Sequence, residues 1–290
     1  MIKRSKSYVS GIRLMIQASF FFSLMALCVK AVSRSLPSNE IVFFRSLLGL
    51  LMILPLMKAK KVSFWGRHRG KLFLRGIAGY LALALFFHTI GRLPLGTAVL
   101  LNYTSPLFTV LLSYLLLKEK MNMKLIALIA LTFTGVYLLV NGSLPHWDTA
   151  ILTGLLSAFF AAAAYVTIRA IRHRESPLTV IFYFTGVSTV CSAALAVPHF
   201  RWPGAVDWLY LLGIGFFAFW AQIWMTIALR RAPASLLSPF SYLTPLLSFI
   251  YGLLFWHETL NARTLCGALL IIAGGTLISH YGTLKKGVTP

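Results

Sequence analysis

The sequence predicts an all-α polytopic membrane protein: ten transmembrane helices in two inverted five-helix repeats, both termini cytoplasmic. Three observations carry this. Of 290 residues, 58% are hydrophobic and only 11% charged, with a mean hydropathy of +0.81. Apolar stretches of roughly twenty residues follow one another from end to end, each long enough to cross a ~30 Å hydrocarbon core. A shift of 139 residues then lays the second half of the chain on the first.

The predicted spans are 12–33, 40–58, 72–91, 96–117, 123–141, 151–172, 178–197, 206–229, 235–256 and 262–281. The first has the basic start and apolar run of a signal peptide. However, the run reaches Lys30 with no small-residue cleavage site, and Leu27 before Cys28 is too bulky for a lipoprotein site. It reads as a membrane helix. Connections are short, and the longest, KAKKVSFWGRHRGK at 58–71, is also the most basic.

Charge placement sets orientation. About 21 of the 27 Lys and Arg fall in the tails and in alternate connections, among them Arg75, and the opposite side receives a handful: Lys30, Arg34, Arg92, Arg201 and Arg263. That asymmetry places both termini in the cytoplasm. The net charge of +21 is therefore a topology signal, and no aromatic-interleaved basic face points to nucleic acid. Cys28, Cys191 and Cys266 lie inside apolar spans, without metal spacing or a disulfide framework.

The repeat rests on residues that are scarce in a leucine-rich chain. The shift aligns Pro94 with Pro233, Tyr103 with Tyr242, Pro106 with Pro245, Glu119 with Glu258, Asn122 with Asn261, Gly135 with Gly274, Gly76 with Gly215 and Lys30 with Arg169. The halves are residues 1–142 and 146–290. Five helices in each is an odd number, so the second half enters the membrane upside down relative to the first. Such symmetry supplies two equivalent gates of opposite orientation.

Pro106 and Pro245 lie about ten residues into the fourth and ninth spans, near ~15 Å depth. Each should kink its helix and free the carbonyl four residues back, at Asn102 and Ser241. In lipid such a carbonyl needs protein or a water-filled cavity to solvate it. Either the prolines bend helices for packing, or the paired interruptions mark a central substrate site. Candidate lining residues are Asn102, Tyr103, Ser241, Tyr242, Tyr80, His88, Trp220 and Gln222. Aromatic faces with a few hydrogen-bonding tips suit an organic molecule better than a bare ion.

Arg45, in EIVFFRSLLG, sits about one turn inside the second span, where a guanidinium is expensive. It either forks onto a substrate carboxylate or phosphate, or snorkels outward or pairs with Glu40. Its equivalent is Phe184, so the basic site is asymmetric. Lys30 and Arg169 act either as interfacial anchors or as alternate gate charges. All six acidic residues fall at helix ends or loops, and no carboxylate lies at mid-membrane. Facilitated diffusion or exchange therefore ranks above ion-coupled pumping. Metalloprotease, nucleophile-elbow and Walker motifs are absent, so neither catalysis, nor a cofactor, nor direct ATP drive is expected.

These residues carry a resemblance. FFR in the second span, Arg75–Gly76, LPLGTAVLLNYTSPLFTVLLSYLLLKEK and RAPASLLSPFSYLTPLLSFIYGLLFWHETL resemble the EamA family of the drug/metabolite transporter superfamily over nearly the whole chain. The resemblance implies a bacterial inner-membrane carrier working by alternating access on a small metabolite. The short-tailed layout is similar to the S-adenosylmethionine-uptake and organic-anion branch. A flippase for lipid-linked substrates and a multidrug or metabolite exporter remain alternatives, as do monomer and homodimer.

Overall fold

The computed structural model describes residues 2–117, 123–143, 148–171, 174–232 and 234–284. The described residues are helical apart from short connections: α1 (Ile2–Val32), α2 (Ser38–Ala59), α3 (Arg69–Arg92), α4 (Leu95–Asn102), α5 (Ser105–Leu117), α6 (Met123–Ser143), α7 (Thr149–Ile171), α8 (Pro177–Ala196), α9 (Ala205–Arg231), α10 (Ala234–Ser241), α11 (Leu243–Trp256) and α12 (Ala262–Leu284). Among the described residues nine spans are long and apolar enough to cross a membrane, and the apolar part of α12, Ala262–Ile278, is a shorter tenth. α1 begins ten residues earlier than its apolar run, because Lys3, Arg4 and Lys6 continue the helix beyond the hydrocarbon-length segment.

Two spans depart from the expected form. The fourth and ninth are not bent rods but pairs of helices, α4–α5 and α10–α11, interrupted at Tyr103–Thr104 and at Tyr242. Each break falls directly upstream of its proline. Pro106 and Pro245 sit in the first turn of α5 and α11, where a missing N–H costs nothing.

Contacts obey the repeat. Exchanging α1 with α7, α2 with α8, α3 with α9, α4 with α10, α5 with α11 and α6 with α12 turns the α1–α9 packing into α3–α7. The same exchange turns α2–α9 into α3–α8 and α1–α11 into α5–α7. The pairs α2–α8 and α6–α12 map onto themselves, so they lie across the pseudo-two-fold axis. Close approach there needs small residues: a Cβ on Gly267 would run into the Leu139 backbone nitrogen and the Gly135 carbonyl.

The connections repeat the symmetry in hydrogen bonds. Glu40 on α2 accepts from the Arg201 backbone N–H at 2.8 Å. Its equivalent on α8, Thr179, donates to the Ser63 carbonyl at 2.8 Å. Each half thus holds a loop of the other. The long basic connection is further organised by Glu175, which accepts from the backbone N–H groups of Arg67 (2.8 Å) and His68 (2.6 Å) and faces His68 Nδ1 at 3.1 Å. These bonds hold the two residues that lead into α3, whose N-cap is His68. Large apolar side chains such as Leu51, Leu115, Val190, Leu209 and Leu254 stay exposed, which fits a lipid-facing surface. Trp65 and Trp202 stand out on the two long connections.

Burial pushes the Glu175 carboxyl up, but the His68 and Arg67 N–H groups and the His68 ring outweigh it and hold the carboxyl below the usual carboxylate range. A depressed native pKa contributes stability above the unfolded value and loses it as pH falls through the native value. Glu175→Gln should therefore melt below the wild type at neutral pH. The gap should narrow progressively from about pH 5 downward, as read by thermal melts of detergent-purified protein across a pH series.

Candidate functional site

The two breaks meet. Tyr103 and Tyr242, equivalent positions of the two halves, face each other with ring centroids 5.7 Å apart. The Tyr242 hydroxyl donates to the Tyr103 backbone carbonyl at 3.3 Å. A carbonyl beside the α4–α5 break thus receives a partner from the opposite repeat. The sequence places the freed carbonyl one residue earlier, at Asn102. Locally the Thr104 hydroxyl donates to the Leu101 carbonyl at 2.7 Å, and the Asn102 amide donates to Ser157 of α7 at 2.9 Å. Ser241 turns back onto its own helix, donating to the Ser238 carbonyl at 2.7 Å. The midplane is accordingly closed around the tyrosine pair, with Tyr242 4% exposed and a Cβ on Gly275 barred by its hydroxyl. Of the two solvents the sequence allows, protein or a water-filled cavity, the protein serves here, through aromatic rings and one hydrogen bond.

Open space lies beside Arg45. A tight crevice of about 10 Å³, room for roughly one water molecule, is lined by Arg45 and Gly49 of α2, Phe184 and Thr185 of α8, and Gly215 and Gln222 of α9, among others. Arg45 is 5% exposed and rests over the Phe184 ring, 4.9 Å from its centroid. A second guanidinium shares that ring: Arg75 of α3, also 5% exposed, lies 4.6 Å from the same centroid. Arg75 is not the loop charge that the topology count takes it for. Its side chain runs along α3 to Gly79, where a Cβ would collide with the guanidinium and with Phe184.

Neither cation has an acidic partner among the described residues. Nε and Nη1 of both arginines are buried without a hydrogen bond. Glu40 is held by Arg201, Asp148 by the Ala150 N–H, Asp207 by Ser35 and Gly204, Glu175 by the start of α3, and Glu258 by Leu95 and Lys30. The pairing of Arg45 with Glu40 allowed by sequence is not made. Cation–π contact with Phe184 offsets part of the desolvation. At a separation within about 10 Å, the two like charges repel by on the order of 1–2 kcal/mol at an effective dielectric near 20.

A third cluster sits at one end of the bundle. Lys30 Nζ donates to the Leu93 carbonyl at 2.5 Å and lies 3.8 Å from Glu258. Glu258 in turn accepts from the Leu95 N–H at 2.8 and 2.9 Å, so one carboxylate ties α1 to the start of α4. A second small crevice, of about 10 Å³, lies beside it between Pro94, Thr97, Phe249 and Thr264. The equivalent residues at the other end, Glu119, Pro233 and the Arg169 side chain, lie outside the described residues.

The sequence-derived candidates thus divide. Tyr103 and Tyr242 come together at the breaks, and Arg45 and Gln222 share the crevice. Tyr80 is buried in the main apolar core. Trp220 packs with Phe219 and Trp224, and His88 is half-buried a turn before the end of α3, both apart from the tyrosine pair. Reading the sequence missed Arg75, Phe184, Ser157 and the pairing of Lys30 with Glu258. For Arg75 a signal exists, because it falls inside the predicted span 72–91. No group of His, Cys, Asp or Glu among the described residues is placed to hold a metal ion.

Two five-span units bring their broken helices face to face, an arrangement that recurs in secondary transporters. The EamA-like transporter family matches residues 9–141 and again 148–280, and the chain belongs to that family. It is 34% identical over 280 residues to the pseudopaline exporter CntI of Pseudomonas aeruginosa, covering 96% of this chain and 98% of that protein. It is 23% identical over 287 residues to the S-adenosylmethionine uptake transporter of Rickettsia prowazekii, covering 97% and 96%. A solved crystal structure superposes with a TM-score of 0.65 at 19% identity, over 96% of this chain and 99% of that one, and shares the fold.

Tyr242→Phe should remove the bond across the breaks and leave the Tyr103 carbonyl without this partner. The expected cost is about 1–2 kcal/mol, read as a lowered melting temperature with the protein still monodisperse.

Proposed function

We propose that this protein is a secondary carrier that moves a small organic metabolite across a bacterial inner membrane by alternating access. The observation that carries the reading is the junction of α4–α5 with α10–α11 at the equivalent tyrosines Tyr103 and Tyr242. A helix pair broken at matching depth in both repeats gives two halves that can rock against each other about one central site. Arg45, Gln222, Asn102 and Ser241 supply polar contacts, and Tyr80, His88 and Trp220 belong to the surrounding walls. Both termini are cytoplasmic on the Lys and Arg distribution. The Lys30–Glu258 pair then lies on the periplasmic side as a gate, and Arg169, the sequence equivalent of Lys30, is the candidate gate charge of the cytoplasmic side.

The substrate is amino-acid-, nucleoside- or S-adenosylmethionine-like or an organic anion that Arg45 would hold, and movement is by facilitated diffusion or exchange, since no acidic residue falls at mid-membrane. The chain performs no catalysis. Export by one relative and uptake by another fit a fold in which the gates, and not the site, set direction.

A melting screen of the purified protein against a metabolite library identifies ligands by mass action, and reconstituted flux of the best ligand tests the site. Arg45→Ala and Tyr242→Ala should each reduce flux by about tenfold or more, a loss of roughly 1.4 kcal/mol, while inserting normally. Unchanged flux in both variants removes this site assignment.

A further inference from the structure

We infer that Arg45 and Arg75 together form the receptor for one anionic group, so that the substrate is a soluble organic acid or phosphate ester carrying more than one negative charge. The inference rests on the carrier reading and specifies its substrate class. An arginine stays protonated in any protein environment, so both cations remain charged where they are buried. Cations buried within a membrane bundle ordinarily meet a counter-charge, a carbonyl or water. Here Nε and Nη1 of each have no hydrogen-bonding partner, and each of the five described acidic residues has at least one oxygen engaged elsewhere, Glu40 Oε2 being buried without a partner of its own.

The surroundings are shaped for a ligand rather than for packing alone. Gly79 leaves the room that the Arg75 guanidinium fills, and the Phe184 ring lies 4.9 Å from the Arg45 guanidinium and 4.6 Å from that of Arg75. The crevice beside Arg45 is lined also by Gly49, Gly215, Ala218 and Gln222, and a Cβ on Gly215 would run into Leu48. Guanidinium forks match the paired oxygens of carboxylate and phosphate, and two forks favour a di- or trianion over a monoanion. The receptor is also single. The equivalents of Arg45 and Arg75 in the second repeat are Phe184 and Ile214, so the charge belongs to the α2–α3 side of the molecule alone.

The test uses the full chain in phosphatidylcholine nanodiscs. Thermal melts are recorded with acetate, succinate, citrate and inorganic phosphate at ionic strength matched with sodium chloride. Succinate, citrate or phosphate should raise the melting temperature by about 5 °C at a hundredfold excess over the dissociation constant, with acetate and chloride ineffective. R75Q should abolish the shift while melting at or above the unliganded wild type, because removing an uncompensated buried cation relieves repulsion. G79A, which keeps the charge but displaces the guanidinium, should weaken the shift.

No shift with any of the four anions, or equal shifts in wild type and R75Q, overturns the proposal. So does an unliganded R75Q that melts well below the wild type, which marks Arg75 as structural. Stabilisation that appears only when phosphatidylglycerol replaces phosphatidylcholine assigns the cations to a lipid headgroup and overturns the soluble substrate. Wild-type flux of a solute that R75Q carries equally well rejects the receptor and leaves the carrier standing. An intact anion shift without flux of any of the four supports the receptor and counts against the carrier.

Discussion

A hydrocarbon medium offers no hydrogen bonds, so any helix that breaks inside it must find partners for its freed backbone within the protein. Much of this molecule follows from that constraint. Two prolines at equivalent positions interrupt two spans, and the interruptions are stable only where they face each other. The Tyr242 hydroxyl on the Tyr103 carbonyl is the visible part of that arrangement. Tyrosine suits the place because its ring fills the gap left by unwound chain and its hydroxyl reaches a carbonyl. The pairing fixes how α4–α5 and α10–α11 approach, and the flanking helices α1, α7, α6 and α12 pack around that junction.

Backbone symmetry and side-chain symmetry part company at the axis. The α2–α8 pair maps onto itself, so a residue on α2 faces the neighbourhood of its own equivalent on α8. Arg45 does so literally: it lies over Phe184, the residue that replaces it in the second repeat. The repeat gives two copies of each position near the axis, and with Phe184 in the second copy the axis holds a cation on a ring and not a pair of repelling cations. Arg75 then restores a second positive charge from a different helix.

The fold was legible in the chain because prolines, glycines, glutamates and tyrosines stand out against leucine. Their spacing carried both the repeat and the location of the breaks. Other features were not legible, for reasons that are physical. Arg75 sits two turns inside α3 but continues a run of loop cations, and a charge count by side cannot tell a snorkelling residue from one folded back along its helix toward a glycine. Lys30 and Glu258 are joined by tertiary packing across 228 residues, which no local pattern encodes. The closed state of the junction depends on tyrosine rotamers, to which a sequence is silent. The family matches are likewise strong for fold and give two different cargoes among relatives.

Trp65 and Trp202 stand exposed on connections separated by five membrane crossings, and therefore at opposite surfaces. Indoles prefer the headgroup layer, and pulling one into oil or water is unfavourable. Each belongs to a loop gripped by the other repeat, at Ser63 and Arg201. The molecule is in this sense moored at both waterlines: it resists plunging like a piston, and tilting is the freedom left to it.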